Sequence, residues 1–340
     1  MASDGTGFSS RSAVTFVDVS SDGVSSLREI DHWMRAHDRA MSPRRRELSD
    51  ARGRTATRQC LRLVAVALLV GLAAVMVGVQ PAGAAGPRHG VIEGLFDVGG
   101  YRLYLRCTGT GTPTVVMDAS ANADSSIWSD VEPSLARVTR VCVYDRAGLG
   151  RSDPPTVLFP RTSETMVDEL TTLLDVAGVP GPYVVVGHSL AGFNVQLWAR
   201  EDAGDKVVGV VLIDTTPTGL IDVYDRLHIP IPPPDDLVEN PEGFDFRESA
   251  TQILMAGPFP PVPLIVLTHG IGDPGPVEEA WQELQVAQSQ LSPEGRLIVA
   301  RKSGHNIQND QPRLVFAAIV QVVARARHNA AHDHAASAAG

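Results

Sequence analysis

Ser189 stands in Gly187-His188-Ser189-Leu190-Ala191-Gly192, between the apolar run Tyr183-Val184-Val185-Val186 and the amphipathic run FNVQLWAR. A serine hydroxyl is a poor nucleophile until a neighbouring base takes its proton and a third group orients that base. Seating the serine on a tight strand-to-helix turn exposes its Oγ. The same turn sets the next backbone N–H, that of Leu190, at a helix start where it can face a developing oxyanion. Gly187, Ala191 and Gly192 supply the small neighbours such a turn needs, with Ala191 where G-x-S-x-G has its second glycine. A methyl group there is expected to be tolerated.

The base of such a site lies late in the chain when the order is serine, acid, histidine. His305, in ARKSGHNIQND, follows the last strand-like run and fits that place. His188 is expected to point away from the pocket, and His269 closes a strand ahead of the expected acid. His328, His332 and His334 resemble a metal tract only in composition. For the acid, Asp273 in THGIGDP is the first choice, because a carboxylate just past a strand can reach a histidine on the next such loop. Asp214, which ends VVLID, is the alternative, while Glu278 and Glu279 read as an exposed helix face. The second oxyanion donor is expected from DASANADSSIW, at the backbone N–H of Ala121. Glycine would ease the backbone where Ser120 and Asn122 stand, and asparagine tolerates positive φ better than serine does.

The elements that must hold these residues alternate. GLFDVGGYRLYLRCTG (94 to 109) reads as a hairpin about Gly99-Gly100, and runs at 114–120, 140–145, 183–187, 207–214, 263–270 and 296–300 have the length and β-branching of buried strands. Met166, Leu170, Leu173, Leu174 and Ala177 form one helical stripe closed by Gly178, and LVFAAIVQVVARA is a second helix. Strands and helices by turns predict a mainly parallel sheet covered by helices. Residues 218 to 262, rich in Pro and Asp with a short helical piece near ESATQILMA, read as a lid or binding insertion between two strands.

Ahead of this domain, residues 1 to 60 read as a disordered cytoplasmic segment. Residues 61 to 80 hold an uncharged apolar run, Leu63 to Val79, at the short limit of a membrane span. Arg44, Arg45, Arg46, Arg52, Arg54, Arg58 and Arg62 precede it, so the positive-inside rule keeps the N-terminus cytoplasmic and exports the chain beyond the run. A single-pass anchor is expected. The alternative is a signal peptide starting at Met41 and cleaved near Ala84, since Ala82-Gly83-Ala84 has a small-x-small form. Either way the domain at 86 to 327 lies outside the cytoplasm, with residues 328 to 340 as a disordered tail. From residue 86 onward, 31 acidic residues stand against 18 basic ones, which argues against nucleic-acid binding. No metal-ligand cluster or phosphate-cradling glycine loop is present, so no cofactor and no metal are expected.

Three ordered motifs carry a family resemblance: Tyr144 to Asp153 (YDRAGLGRSD), the turn at Ser189, and Ser303-Gly304-His305 with Asp310-Gln311-Pro312. From about Val91 to Ala326 the chain resembles the α/β-hydrolase superfamily, in its bacterial membrane-anchored or exported branch. The resemblance implies an eight-stranded, mostly parallel sheet in the order 1-2-4-3-5-6-7-8 with strand two antiparallel, flanked by helices, and a small lid between strands six and seven. In that order Cys107 and Cys142 fall on neighbouring strands, and a disulfide between them fits an oxidising compartment. The implied activity is serine hydrolysis of a carboxylic ester, and the Ile, Leu and Pro content of the 218–262 insertion points to a small or apolar acyl group. Ser189 is its nucleophile, His305 its base, Asp273 the orienting acid, and Leu190 and Ala121 the oxyanion donors. Two other readings stand beside it: a binding protein that keeps the fold without activity, and a cofactor-free perhydrolase or C–C hydrolase using the same side chains. Serine at the nucleophile position disfavours epoxide or haloalkane hydrolysis by an aspartate.

Overall fold

Eight strands form one sheet: β1 (Ile92–Asp97), β2 (Arg102–Thr108), β3 (Thr114–Asp118), β4 (Val141–Asp145), β5 (Tyr183–His188), β6 (Val207–Ile213), β7 (Leu264–His269) and β8 (Gly295–Ala300). The computed structural model describes residues 91–156, 160–202 and 204–339. These belong to one compact unit. The strand order is β1-β2-β4-β3-β5-β6-β7-β8. β2 runs antiparallel to both β1 and β4, while β3 to β8 pair in parallel.

The alternation of strand and helix explains this layout. β3, β4 and β5 are buried along their whole length, as strands covered on both faces must be. β1, by contrast, alternates between partly buried and exposed residues at the sheet edge. The β1–β2 hairpin turns at Gly99 and Gly100, both at positive φ, where the Asp97 carboxylate accepts from their two N–H groups at 2.8 and 2.9 Å. Cys107 and Cys142 are register partners on β2 and β4, and their sulfurs are joined in a disulfide.

The helices around the sheet are α1 (Glu132–Leu135), α2 (Ser163–Val176), α3 (Ala191–Glu201), α4 (Leu220–Leu227), α5 (Phe246–Met255), α6 (Pro276–Ser289), α7 (Ile307–Asp310) and α8 (Pro312–Ala339). The Thr162 hydroxyl caps α2, and its buried stripe is Met166, Leu170, Leu173 and Leu174, as the period of 3.6 predicts. α3 comes directly after β5 and is buried almost throughout, so its approach to the sheet fixes the turn between them.

Three sequence expectations need correction or restriction. Residues 328–339 continue α8 instead of forming a disordered tail, because an alanine-rich stretch has the strongest helix propensity and here extends an existing helix. The β6–β7 insertion holds α4 as well as the expected helix α5. The 1–60 segment and the apolar run at 61–80 lie outside the described residues. Among the described residues no helix is long and apolar enough to cross a membrane.

Candidate active site

β5 ends at His188, α3 begins at Ala191, and Ser189 occupies the turn between them at φ 55°. Left-handed backbone is costly for a residue with a Cβ, so the surrounding structure must impose it. The imposed contacts are visible on both sides. The Ser189 N–H donates to the Ile213 carbonyl at 3.2 Å, and the Ser189 carbonyl accepts from Gly192 and Thr216 at 3.0 and 3.1 Å. A Cβ on Gly187 would lie 2.8 Å from the Ala191 carbonyl oxygen, and one on Gly192 would lie 2.3 Å from the Thr215 Cβ. The close approach of helix to strand therefore depends on Gly192. Ala191, at the position of the usual second glycine, is simply buried there.

The Ser189 Oγ lies 3.0 Å from His305 Nε2, and His305 Nδ1 lies 2.7 Å from Asp214 Oδ2. Asp214, not Asp273, is therefore the carboxylate against His305. Asp273 sits exposed in the loop after β7. The physical reason is reach: Asp214 comes directly after β6, fully buried, and its φ of 44° aims the side chain at the loop after β8. Asp273 lies four residues beyond the end of β7, where the chain has already turned outward toward α6.

Burial alone would raise the Asp214 carboxyl, but hydrogen bonds from His269 and His305 outweigh it and hold the group well below the ordinary carboxylate range. An ionised Asp214 can only accept, which puts a proton on His305 Nδ1 and leaves Nε2 able to take one from Ser189. The His305 loop is pinned from below. Asp310 Oδ2 accepts from the Ser303 hydroxyl at 2.9 Å and from the Gly304 N–H at 3.3 Å.

Two histidines that the sequence reading set aside flank this line. His188 does not point away from the site. Its Nε2 donates to the His305 carbonyl at 3.0 Å, its ring centroid is 4.8 Å from that of His305, and Gln308 approaches its Nδ1 at 3.4 Å. Burial, reinforced by the neighbouring His305, pushes the His188 ring down to about 4, so it is neutral near pH 7. His269 Nδ1 meets Asp214 at 2.7 and 2.9 Å, while its Nε2 meets Glu278 at 3.0 and 3.1 Å. Glu278, read from the sequence as an exposed helix face, is thus turned inward. The signal for both histidines was their position at the last residue of a strand, next to the residues already singled out.

The loop after β3 carries the second set of groups. The N–H groups of Leu190 and Ala121 have no hydrogen-bond acceptor among the described residues. Fully buried Arg146, from the YDRAGLGRSD motif, donates to the carbonyls of Ala119 and Ser120 at 2.7 and 2.6 Å and to Asp118 at 2.7 Å. In a trans peptide the C=O and the following N–H point opposite ways. Holding the Ser120 carbonyl against Arg146 therefore turns the Ala121 N–H away from it. Glu242, from the β6–β7 insertion, closes the arrangement. It accepts from Arg146 at 2.8 Å through each oxygen and from the Asn122 N–H at 2.6 Å. Burial opposes both charges, but each partner more than offsets it for the other: Arg146 is raised and Glu242 lowered.

The positive φ this loop needs falls on Asn122, at 57°, and not on Ser120. Among the described residues four non-glycines have positive φ, and three of them, Asn122, Ser189 and Asp214, surround this one site. Such concentration of strained backbone is typical of functional sites. No group of side chains suited to holding a metal occurs among the described residues.

A family model described as alpha/beta hydrolase fold matches residues 113–235. The uncharacterized protein YqjL of Bacillus subtilis is 30% identical over 230 residues, covering 66% of this chain and 88% of that protein. A protein of Hormonema carpetanum named as probable transporter efuK is 38% identical over 128 residues, 36% of this chain and only 18% of that much longer protein. Among solved structures, the alpha/beta hydrolase domain-containing protein 10 from mouse superposes with a TM-score of 0.53 at 19% identity, covering 67% of this chain and 96% of that one.

Proposed function

The chain belongs to the α/β-hydrolase family, and on that premise we propose that it is a serine hydrolase that cleaves carboxylic esters through an acyl-enzyme. The observation that carries this reading is the continuous line from Ser189 Oγ through His305 to the buried carboxylate of Asp214, at 3.0 and 2.7 Å. In the first step Ser189 Oγ attacks the ester carbonyl and His305 Nε2 takes its proton. The tetrahedral oxyanion is held by the N–H groups of Leu190 and Ala121. The bond to the alcohol then breaks, with the proton passing from His305 to the departing oxygen, and water repeats the sequence to release the acid.

Esters are favoured over amides because alcohols leave more readily than amines, and the acyl group is proposed to be small or apolar, in keeping with the Ile, Leu and Pro content of 218–262. The hydrolase reading is preferred to the binding-protein one because the positive φ of the loop after β3 lies on Asn122, a residue that tolerates it, and not on Ser120. We further propose a single-pass membrane anchor through the apolar run at 63–79, with the domain outside the cytoplasm. The arginines ahead of the run and the Cys107–Cys142 disulfide support this placement.

The test is labelling of the full chain with a fluorophosphonate probe, wild type beside Ser189→Ala, then a p-nitrophenyl ester series of increasing acyl length. Labelling lost in the variant and turnover of the short esters are the expected results. A folded wild-type protein that takes up no probe would overturn the assignment.

A further inference from the structure

The Asp214 carboxylate serves two histidines. Its Oδ2 accepts from His305 Nδ1 and from His269 Nδ1, each at 2.7 Å. Its Oδ1 faces His269 Nδ1 at 2.9 Å, the His269 backbone N–H at 3.1 Å and Trp281 Nε1 at 3.1 Å. Orienting a catalytic histidine requires one of these contacts, and acyl transfer at Ser189 uses none of the others. His269 is itself nearly buried, and its far nitrogen is taken by Glu278. A ring whose two nitrogens both face carboxylates has both as donors, which is the imidazolium form.

We infer that His269, held by Glu278, is a positioning residue that carries a fixed positive charge on the far side of Asp214 and thereby sets the pH below which His305 stops working as a base. This rests on the assignment of Ser189, His305 and Asp214 as the reacting set. The hydrogen bond to Asp214, with Glu278 adding to it and burial working against it, pushes the His269 ring up to about 9, so the charge is present at neutral pH.

Among the described residues, His269 is faced from three sides. Asp214 approaches from the end of β6 and Glu278 from α6, whose Trp281 and Gln282 are uncharged. Thr268, its neighbour on β7, is also uncharged, and His305 stands across Asp214 from the loop after β8. When His305 takes the serine proton, Asp214 must stabilise two cations at once. The standing charge on His269 therefore opposes protonation of His305 by solvent and keeps the base free to lower pH. It also denies Asp214 a proton, so the carboxylate stays an acceptor throughout. The arrangement costs some stabilisation of the imidazolium formed during the reaction and widens the working range on the acid side.

His269→Asn is the informative variant, because the asparagine Nδ2 can occupy the place of ring Nδ1 and keep the donation to Asp214 without the charge. The expected result is an acid limb of the kcat/KM profile displaced upward by about one pH unit, from the loss of one nearby like charge partly screened by Asp214. KM is expected to stay within about twofold. Ring-nitrogen NMR of the wild-type protein supplies a readout independent of the variant's folding and of activity. His269 is expected to keep protons on both nitrogens through neutral pH and to lose one only near pH 9. An acid limb unmoved in His269→Asn, or a wild-type His269 that loses its second proton in the ordinary range near 6.5, would overturn the inference. Should the wild type take up no fluorophosphonate, the proposed function fails. The ring titration of His305, compared between wild type and His269→Asn, then decides the His269 inference alone.

Discussion

Replacing Asp214 by asparagine separates the two carboxylates that compete for the role of orienting acid. The variant keeps the shape of the side chain but offers one oxygen where the aspartate offers two. In the structure both His269 and His305 donate to that carboxylate at 2.7 Å. His269, with Glu278 on its far nitrogen, has a proton to donate and no reason to turn over, so it claims the single oxygen. The asparagine NH2 then faces His305 Nδ1 and can only donate to it. His305 is forced into the tautomer with its proton on Nε2, the atom 3.0 Å from Ser189 Oγ, where it cannot accept the serine proton. Loss of the base in this way costs about 10⁴ in kcat, or about 5.4 kcal/mol at 1.36 kcal/mol per tenfold. Asp273→Asn, at an exposed loop position, is expected to change kcat by less than about twofold, as a surface substitution does. The assay is kcat/KM on a short p-nitrophenyl ester, normalised to the folded fraction by circular dichroism. A hundredfold loss in Asp273→Asn, or an Asp214→Asn enzyme within tenfold of wild type, would refute the reasoning.

Two further outcomes concern buried groups. Glu242→Gln removes one of the two carboxylate charges that face the buried Arg146 guanidinium and leaves it Asp118, which is expected to cost about 3 kcal/mol of stability; urea unfolding measures it. Because Glu242 also holds the Asn122 N–H, kcat should fall more than KM rises in that variant. For the disulfide, a sequence separation of 35 residues corresponds to roughly 4 kcal/mol of lost loop entropy in the unfolded chain. A Cys107→Ala, Cys142→Ala double variant should lower the urea midpoint, and equal midpoints for the two proteins would count against that role.

How far the sequence disclosed the site depends on how local each signal is. Ser189 was legible because its neighbours, Gly187 and Gly192, are required within a few residues of it, and His305 because it comes after the last strand. The strand order was legible through the family resemblance, since the three motifs fall at the ends of β4, β5 and β8. The acid was not, because β6 and β7 each end near an aspartate, and which one reaches the histidine is set by backbone angles that composition does not encode. Asp214 succeeds through one residue of left-handed backbone. Glu242 was hidden for a different reason: 96 residues separate it from Arg146, and only folding of the insertion onto the β3 loop joins them. The same holds for the contacts of the two flanking histidines with His305 and Asp214, which span 117 and 55 residues.

The disulfide also decides how mechanical load would travel through the domain. Tension applied at residue 91 and at the C-terminus passes along β1 and β2 to Cys107 and then crosses the sulfurs to Cys142. The intervening segment, residues 108 to 141, lies outside that covalent path. It contains β3 and the Ser120-Ala121-Asn122 loop. The edge hairpin can be peeled from the sheet, yet the loop that supplies the Ala121 N–H cannot be drawn out by pulling on the ends until the crosslink is reduced.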